Sequence, residues 1–413
     1  MLKIDIEEPI ILGRQGGPQA TERSSYHYCT AGRASGGAIL AFYGMHPDVF
    51  IPPTVWVPVT APGSRHPIYK FRPRQAHPDY PWPHLGAYCR SEDGGRTWSA
   101  PEMTDGWGGS SVPAGDKTLS PYGYLYFVEP GLAVGAFRES GDGGCTWKDG
   151  PDVFFHFPPD LNLYVNEDLM AGARILMNFE SRGTLKALSD GSIITTATAQ
   201  MLLGDRKWWL QLLFRSTDGG HSFEFVGLPT GAAPPQNHRG FTEPALTELS
   251  NGDLLMAFRI EYHQPDRVMM QCRSSDGGRT WTEPIVCPGV PRHYPIRRLQ
   301  PIANQGKLHL NAAGVSPYLT TLPSGIVAMV YGRPGVYITF SEEGTGEVWR
   351  DRLPVVAEES LFGINCDSSH MAGVIDVGMH ELVMIYDVYN YQPPEGGPAG
   401  DTAFALRMRV ERG

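Results

Sequence analysis

At 413 residues, with 49 glycines, 36 prolines and 11% aromatic residues, the chain has the composition of many short strands joined by tight turns, and no long amphipathic helix stands out. A formal net charge of −10 without a Lys/Arg-rich run excludes a general electrostatic grip on nucleic acid or an anionic membrane, so an anionic ligand must meet a local arginine cluster. The six cysteines, Cys29, Cys89, Cys145, Cys272, Cys287 and Cys366, include no Cys-x-x-Cys pair, which removes the zinc-knuckle and dithiol-redox readings and leaves mostly buried thiols, with a disulfide between distant positions the open alternative.

The first stretch, LKIDIEEPIIL, reads as strand and lacks the basic segment and apolar core of an export leader. No run approaches the roughly 18 apolar residues of a membrane span. The expected location is cytoplasmic, or secreted if a leader has been removed. Next comes GGAILAFYG from Gly36, a turn followed by a short apolar strand, and the same plan returns from Ser189, Ser250, Pro323 and Asp376. With GYLYFVEPGLAVGAF from Gly123 as a less regular sixth member, these stretches predict about six antiparallel units, too many for one closed barrel and suited to a propeller. KWWLQLLF, Lys207 to Phe214, reads as blade core, and Arg297 and Arg298 as a solvated loop or rim pair. The closing stretch TAFALRMRVERG is again strand-like, so the two ends are expected to complete the ring by sharing a blade. No linker is long or polar enough to divide the chain, and residues 1–413 are expected to form one domain.

An octet punctuates this pattern: SEDGGRTW from Ser91, SGDGGCTW from Ser140, STDGGHSF from Ser216 and SSDGGRTW from Ser274, with a worn copy, SEEGTGEVW, from Ser341. The spacings of 49, 76, 58 and 67 residues are too irregular for a solenoid and fit blades with loops of unequal length. Its chemistry is turn chemistry: Asp accepts from backbone N–H groups, the Gly pair supplies positive φ, and Trp or Phe packs back. A repeated catalytic carboxylate is the weaker reading, because a catalyst needs one constellation and not four scattered copies. The octet is similar to the Asp-box, or BNR, repeat of the sialidase superfamily, whose catalytic members are six-bladed β-propellers. The resemblance implies an all-β fold of four-stranded antiparallel blades with the Asp-boxes on the rim, away from the active site.

The same resemblance implies the site. In FTEPALTELSNGDLLMAFR, Glu243 stands sixteen residues before Arg259, as in the sialidase segment where a glutamate polarises the nucleophile and an arginine grips the substrate carboxylate. Asp79, on a Pro-rich loop ahead of the first octet, corresponds to the acid/base aspartate, with Arg74 shortly upstream; nearby Tyr80 and Trp82 would raise its pKa towards that of a proton donor. Arg333 in YGRPGVYITFS resembles the third arginine of the family triad, and arginine suits a carboxylate because its planar fork donates two parallel hydrogen bonds. Two positions depart from the family. His27 stands near the place of the first triad arginine, with Arg23 and Arg33 out of register. His370 or Ser369 stands in NCDSSHMAGVIDVG, where the tyrosine nucleophile is expected. A histidine there points to general-base work on a water or hydroxyl instead of a covalent route through a phenol.

His46, His66, His77 and His84 crowd the Asp79 insertion without paired ligand spacing, so neither metal nor cofactor is expected. The leading expectation is a sialidase-like exo-glycosidase removing a terminal, acidic sugar from a glycan. Two alternatives use the same equipment: a lyase acting on uronic-acid-containing polysaccharides, and a carbohydrate-binding propeller without catalysis. No nucleic-acid or membrane partner is expected, and the oligomeric state is not legible.

Overall fold

The computed structural model describes residues 2–14, 24–47, 55–59, 68–72, 86–104, 110–121, 124–166, 174–178, 183–204, 206–232, 239–260, 269–290, 314–332, 335–356, 361, 368–369, 371–394 and 396–413. Among them the architecture is all-β, with a single 3-10 turn at Ser35–Gly37.

Three sheets repeat one plan, each of four antiparallel strands taken in chain order; in the first, a separate two-stranded sheet of Val55–Val59 and Ile68–Arg72 is inserted between the second and third strands. Ser24–Arg33, Ile39–Pro47, Gly86–Ser91 and Glu102–Thr104 form the first; Phe241–Glu248, Leu254–Ile260, Met269–Ser274 and Ile285–Val286 the second; Val315–Thr321, Val327–Gly332, Val336–Ser341 and Arg350–Val356 the third. A further sheet of five strands orders Gly373–Gly378, Glu381–Tyr391 and Gly400–Arg412, and the amino-terminal strands Leu2–Ile6 and Ile10–Arg14 both pair with the last of these, Leu2 opposite Arg412 and Ile10 opposite Ala405. The ends of the chain therefore share a sheet. Residues 112–227 depart from the plan. Lys148–His156 pairs in parallel with Ser222–Gly227, and Tyr124–Glu129 with Ile175–Asn178 bridges the neighbouring strands, giving one ten-stranded sheet with a closed ring of seven strands inside it.

Strands such as LLMAFRI and VAMVYG are apolar on both faces because the core lies between sheets. One cluster joins Leu322, Val330 and Ile338 to Val374, Met384 and Leu406, and another joins Ile194 and Leu213 to Leu246 and Met256. The first strands of neighbouring sheets approach so closely that side chains are excluded. A Cβ at Gly32 would lie 2.4 Å from Ser111 N, and one at Gly373 2.4 Å from Ala31 N. These glycines are required by contact, not by turn geometry.

All four good octets join the third strand of a unit to its fourth and are built alike. In the last, Asp276 Oδ1 accepts from Ser274 Oγ at 2.9 Å and Thr280 N at 2.9 Å, Oδ2 accepts from Thr280 Oγ1 at 2.6 Å, Ser274 Oγ accepts from Gly278 N at 2.8 Å, and Trp281 Nε1 donates to Gly278 O at 2.9 Å. Gly277 and Gly278 take φ of 74° and 96°, a region that side-chain-bearing residues rarely enter. The worn copy keeps only the Ser341 hydroxyl, which accepts from Gly346 N at 3.0 Å. Arginines tie the turns to neighbouring sheets: Arg90 Nε donates to Gly143 O at 2.8 Å, and Arg407 Nε donates to Gly94 O at 2.9 Å.

Hydrogen bonds from Thr97 and Thr146 hold the Asp93 and Asp142 carboxyls well below the usual carboxylate range, and those from Thr280 lower Asp276 to about 2. Because the folded pKa is depressed, this stabilisation is complete above the unfolded value near ~4 and is lost as pH falls towards about 2. The thermal midpoint is expected to hold steady from pH 7 to about 5 and to drop below ~4, with a shallower acid limb in Asp276→Asn. An identical acid limb in that variant would contradict the assignment.

Of the cysteines, Cys29, Cys89, Cys272 and Cys287 are buried free thiols and Cys145 is exposed; Cys366 lies outside the described residues.

Candidate functional site

Three of the first strands break register near their beginnings: between His27 and Thr30, between Thr242 and Ala245, and between Val315 and Tyr318. Two of these breaks contain a proline, in FTEPAL and GVSPYL, and a proline has no N–H to give the ladder, so a bulge is the natural outcome. The residue before each proline stands at positive φ, 50° at Glu243 and 46° at Ser316, although a following proline by itself favours extended backbone. Such a conformation costs about 1–3 kcal/mol per residue and persists only where the surroundings over-determine it.

The two strained residues meet. Glu243 Oε2 accepts from Ser316 N at 2.8 Å, while Oε1 pairs with Arg259 Nη2 at 3.1 Å. Arg259 also donates through Nε to Thr242 Oγ1 at 3.4 Å, its partner across the hairpin. Side-chain exposures of 21% for Glu243 and 13% for Arg259 leave both with a face to solvent. The site is therefore a carboxylate fixed at both oxygens beside a guanidinium, on paired strands and not on loops. That rigidity suits a group that must act on a bound molecule in one orientation.

A second polar group lies in the sheet shared by the chain ends. Asp387, fully buried in Glu381–Tyr391, accepts from Ser369 N at 2.8 Å, Ser369 Oγ at 2.7 Å and Ser368 Oγ at 3.4 Å, and lies close enough to Cys29 to raise that thiol's pKa, after burial itself. It clamps the residues that precede position 370 in the chain.

Sequence reading thus pairs Glu243 with Arg259 and the structure brings them together. His27 sits in Ser24–Arg33 with its backbone opposite Gly44, and its side chain is outside the description. Asp79, Arg74, Arg333 and His370 lie outside the described residues, as do His66, His77, His84, Tyr80, Trp82, Arg297 and Arg298. Sequence reading passes over Ser316 and Asp387. The Ser-Pro dipeptide after a glycine signals the first, and a lone carboxylate within the apolar run ELVMIYDVYNY signals the second. Among the described residues, no three His, Cys, Asp or Glu side chains gather as metal ligands.

Residues 126–370, more than half of the chain, match the family described as the BNR repeat-like domain. The chain belongs to the BNR repeat-like family. No curated protein matches it. Its fold is similar to that of a Dyadobacter fermentans protein of unknown function, with TM-score 0.61 and 16% identity over 98% of this chain and 99% of that one. It is also similar to the Hadza microbial sialidase Hz136, with TM-score 0.55 and 13% identity over 96% of this chain and 68% of the sialidase. Penicillium chrysogenum alpha-L-arabinanase, solved with arabinobiose, matches with TM-score 0.53 and 13% identity over 97% of this chain and 98% of the arabinanase. This BNR repeat-like chain is therefore sialidase-like in fold, and that fold carries glycosidases.

Proposed function

We propose that the chain is a six-bladed propeller and a glycoside hydrolase that removes a terminal, acidic sugar from a glycan. This reading divides the ten-stranded sheet into two blades and treats Tyr124–Glu129 and Ile175–Asn178 as additions to them. Val112–Ala114, Lys117–Pro121, Leu132–Ser140 and Lys148–His156 form one blade; Lys186–Ala187, Ile193–Leu203, Arg206–Ser216 and Ser222–Gly227 form another. With the three regular sheets and the one shared by the chain ends, the count is six.

The observation that carries the enzymatic reading is the strained Glu243, fixed by Arg259 and Ser316 N on the first strands of two neighbouring sheets. Residues held in strained backbone conformations cluster at active sites and ligand clamps. In this reading Glu243 orients or activates the attacking group, and Arg259, with Arg333 and Arg74, binds the sugar carboxylate. Asp79 protonates the leaving oxygen, and His370 serves as general base on water in place of a tyrosine nucleophile. The sialidase and arabinanase neighbours support glycosidic-bond cleavage; the arginines favour the acidic sugar over a neutral pentose.

The test is a panel of aryl glycosides of sialic acids, glucuronic acid, rhamnose and arabinose, with wild-type protein and Asp79→Asn. Release of aryl alcohol from an acidic member, reduced about 10²-fold or more in Asp79→Asn, is the expected result. An ultraviolet-absorbing unsaturated uronate from a polyuronate would replace hydrolysis with elimination. Tight glycan binding without any product would leave a binding propeller.

A further inference from the structure

A cavity of about 260 Å³ lies at the opposite ends of the strands that carry Glu243 and Ser316. Glu243 is near the beginning of Phe241–Glu248 and Glu248 at its end, so the two ends are separated by about 16 Å of extended strand. The cavity is walled by the ends of six segments, which contribute Arg33, Val112, Lys186, Glu248, Thr320 and Asp376 among others. It lies at the edge that bears the octet turns, since Arg33 pairs with Ile39 and Ile39 with Ser91.

Its hydrogen bonds are unevenly spent. On the acceptor side, Asp376 Oδ2 receives Arg33 Nη2 at 3.2 Å and Oδ1 receives Thr320 Oγ1 at 3.3 Å; both Glu248 oxygens receive Ser189, through N and Oγ, at 2.7 Å. The hydroxyls are spent too: Ser111 Oγ donates to Arg33 O at 3.2 Å, Tyr318 OH to Ala31 O, and Thr247 and Thr321 share a bond of 2.9 Å. The donor side is open. Lys186 Nζ, which has three hydrogens to give, donates to Leu319 O at 3.2 Å, and the Tyr318 ring covers it with its centroid 4.7 Å away. Arg33 uses Nη2, on Asp376, and keeps Nε and Nη1. Arg33 and Asp376 are an ion pair, whereas no carboxylate lies within salt-bridge distance of Lys186 among the described residues.

From unspent cationic donors beside carboxylate oxygens that are each already engaged, we infer that this cavity is a binding site for a small oxyanion, held by Lys186 and Arg33 on the face opposite Glu243. The chemistry is that of a carboxylate, sulfate or phosphate, and the volume admits either an inorganic ion or a sugar acid of one ring. Burial, opposed by Asp376 and reinforced by Arg33, lowers the Lys186 ammonium to about 8, as expected of a cation short of its counterion. Facing it from the surrounding strands are Arg33, Glu248, Tyr318 and Asp376. Anion affinity should thus be full below pH ~8 and fall as pH rises through it.

The experiment is calorimetric titration of the full chain with sulfate, phosphate and glucuronate, together with crystals soaked in selenate. An anomalous peak within hydrogen-bond distance of Lys186 Nζ is expected, with binding about tenfold or more weaker in Lys186→Met and largely kept in Lys186→Arg. If Lys186→Met does not fold, Arg33→Gln takes its place and should weaken binding to a similar degree. Preference for glucuronate would identify a sugar acid as the occupant, and equal binding of all three an inorganic ion. No binding by any of the three, or binding indifferent to Lys186 and Arg33, overturns the inference. Binding that survives substitution of Lys186 and Arg33 but is lost in Arg259→Gln would place the anion at the other face and count against this site, while leaving the proposed hydrolysis intact.

Discussion

Replacing Glu243 with glutamine is expected to lower kcat/KM on the cleaved glycoside by about 10² to 10⁴-fold, the range for removing a positioned group that moves or polarises a proton. Glutamine keeps the size of the side chain and its carbonyl still accepts from Ser316 N, so the strained backbone at position 243 stays supported. What is lost is the charge facing Arg259 at 3.1 Å. Most of the effect should fall on kcat if Glu243 acts on the attacking group. A rise in KM alone would instead mean that the glutamate only holds Arg259 for substrate binding. Steady-state kinetics of the pure variant, beside its thermal unfolding curve, separate these outcomes. Unchanged turnover in a folded variant would remove Glu243 from the site.

Gly373→Ala should cost about 3 kcal/mol or more, the upper part of the range for forcing atoms into a filled interior. The added methyl would stand 2.4 Å from Ala31 N and 2.7 Å from Thr30 C, all backbone atoms that cannot swing aside. Relief requires moving one first strand away from its neighbour, which disturbs the bulge at residues 27–30 as well. Gly141→Ala, whose methyl meets nothing within 4 Å, is the matched control and should stay within about 0.5 kcal/mol of the parent. Denaturant melts of the two variants decide the matter; equal midpoints would show that the strands are not in the close approach described.

The octets are legible in sequence because all their bonds run within eight residues, from Ser91 to Trp98 and its equivalents. Glu243 and Arg259 are legible for a related reason: one hairpin sets them on adjacent strands, so their separation along the chain fixes their separation in space. Ser316 is not, since it reaches Glu243 only when two sheets pack, 73 residues apart in sequence. The parallel pairing of Lys148–His156 with Ser222–Gly227 escapes for the same cause, because its register depends on two hairpins meeting sideways. Nor does any local pattern announce Lys186, which acquires meaning only beside Arg33, Leu319 and Asp376.

The pairing of Leu2–Ile6 with Gly400–Arg412 has a consequence for biosynthesis. Leu2–Ile6 is translated long before the Gly400–Arg412 strand it pairs with, so its backbone groups wait as an unsatisfied edge until that strand arrives. Closure is a late, long-range event of the slow kind, and until it happens that edge is the part of the molecule most inviting to another copy.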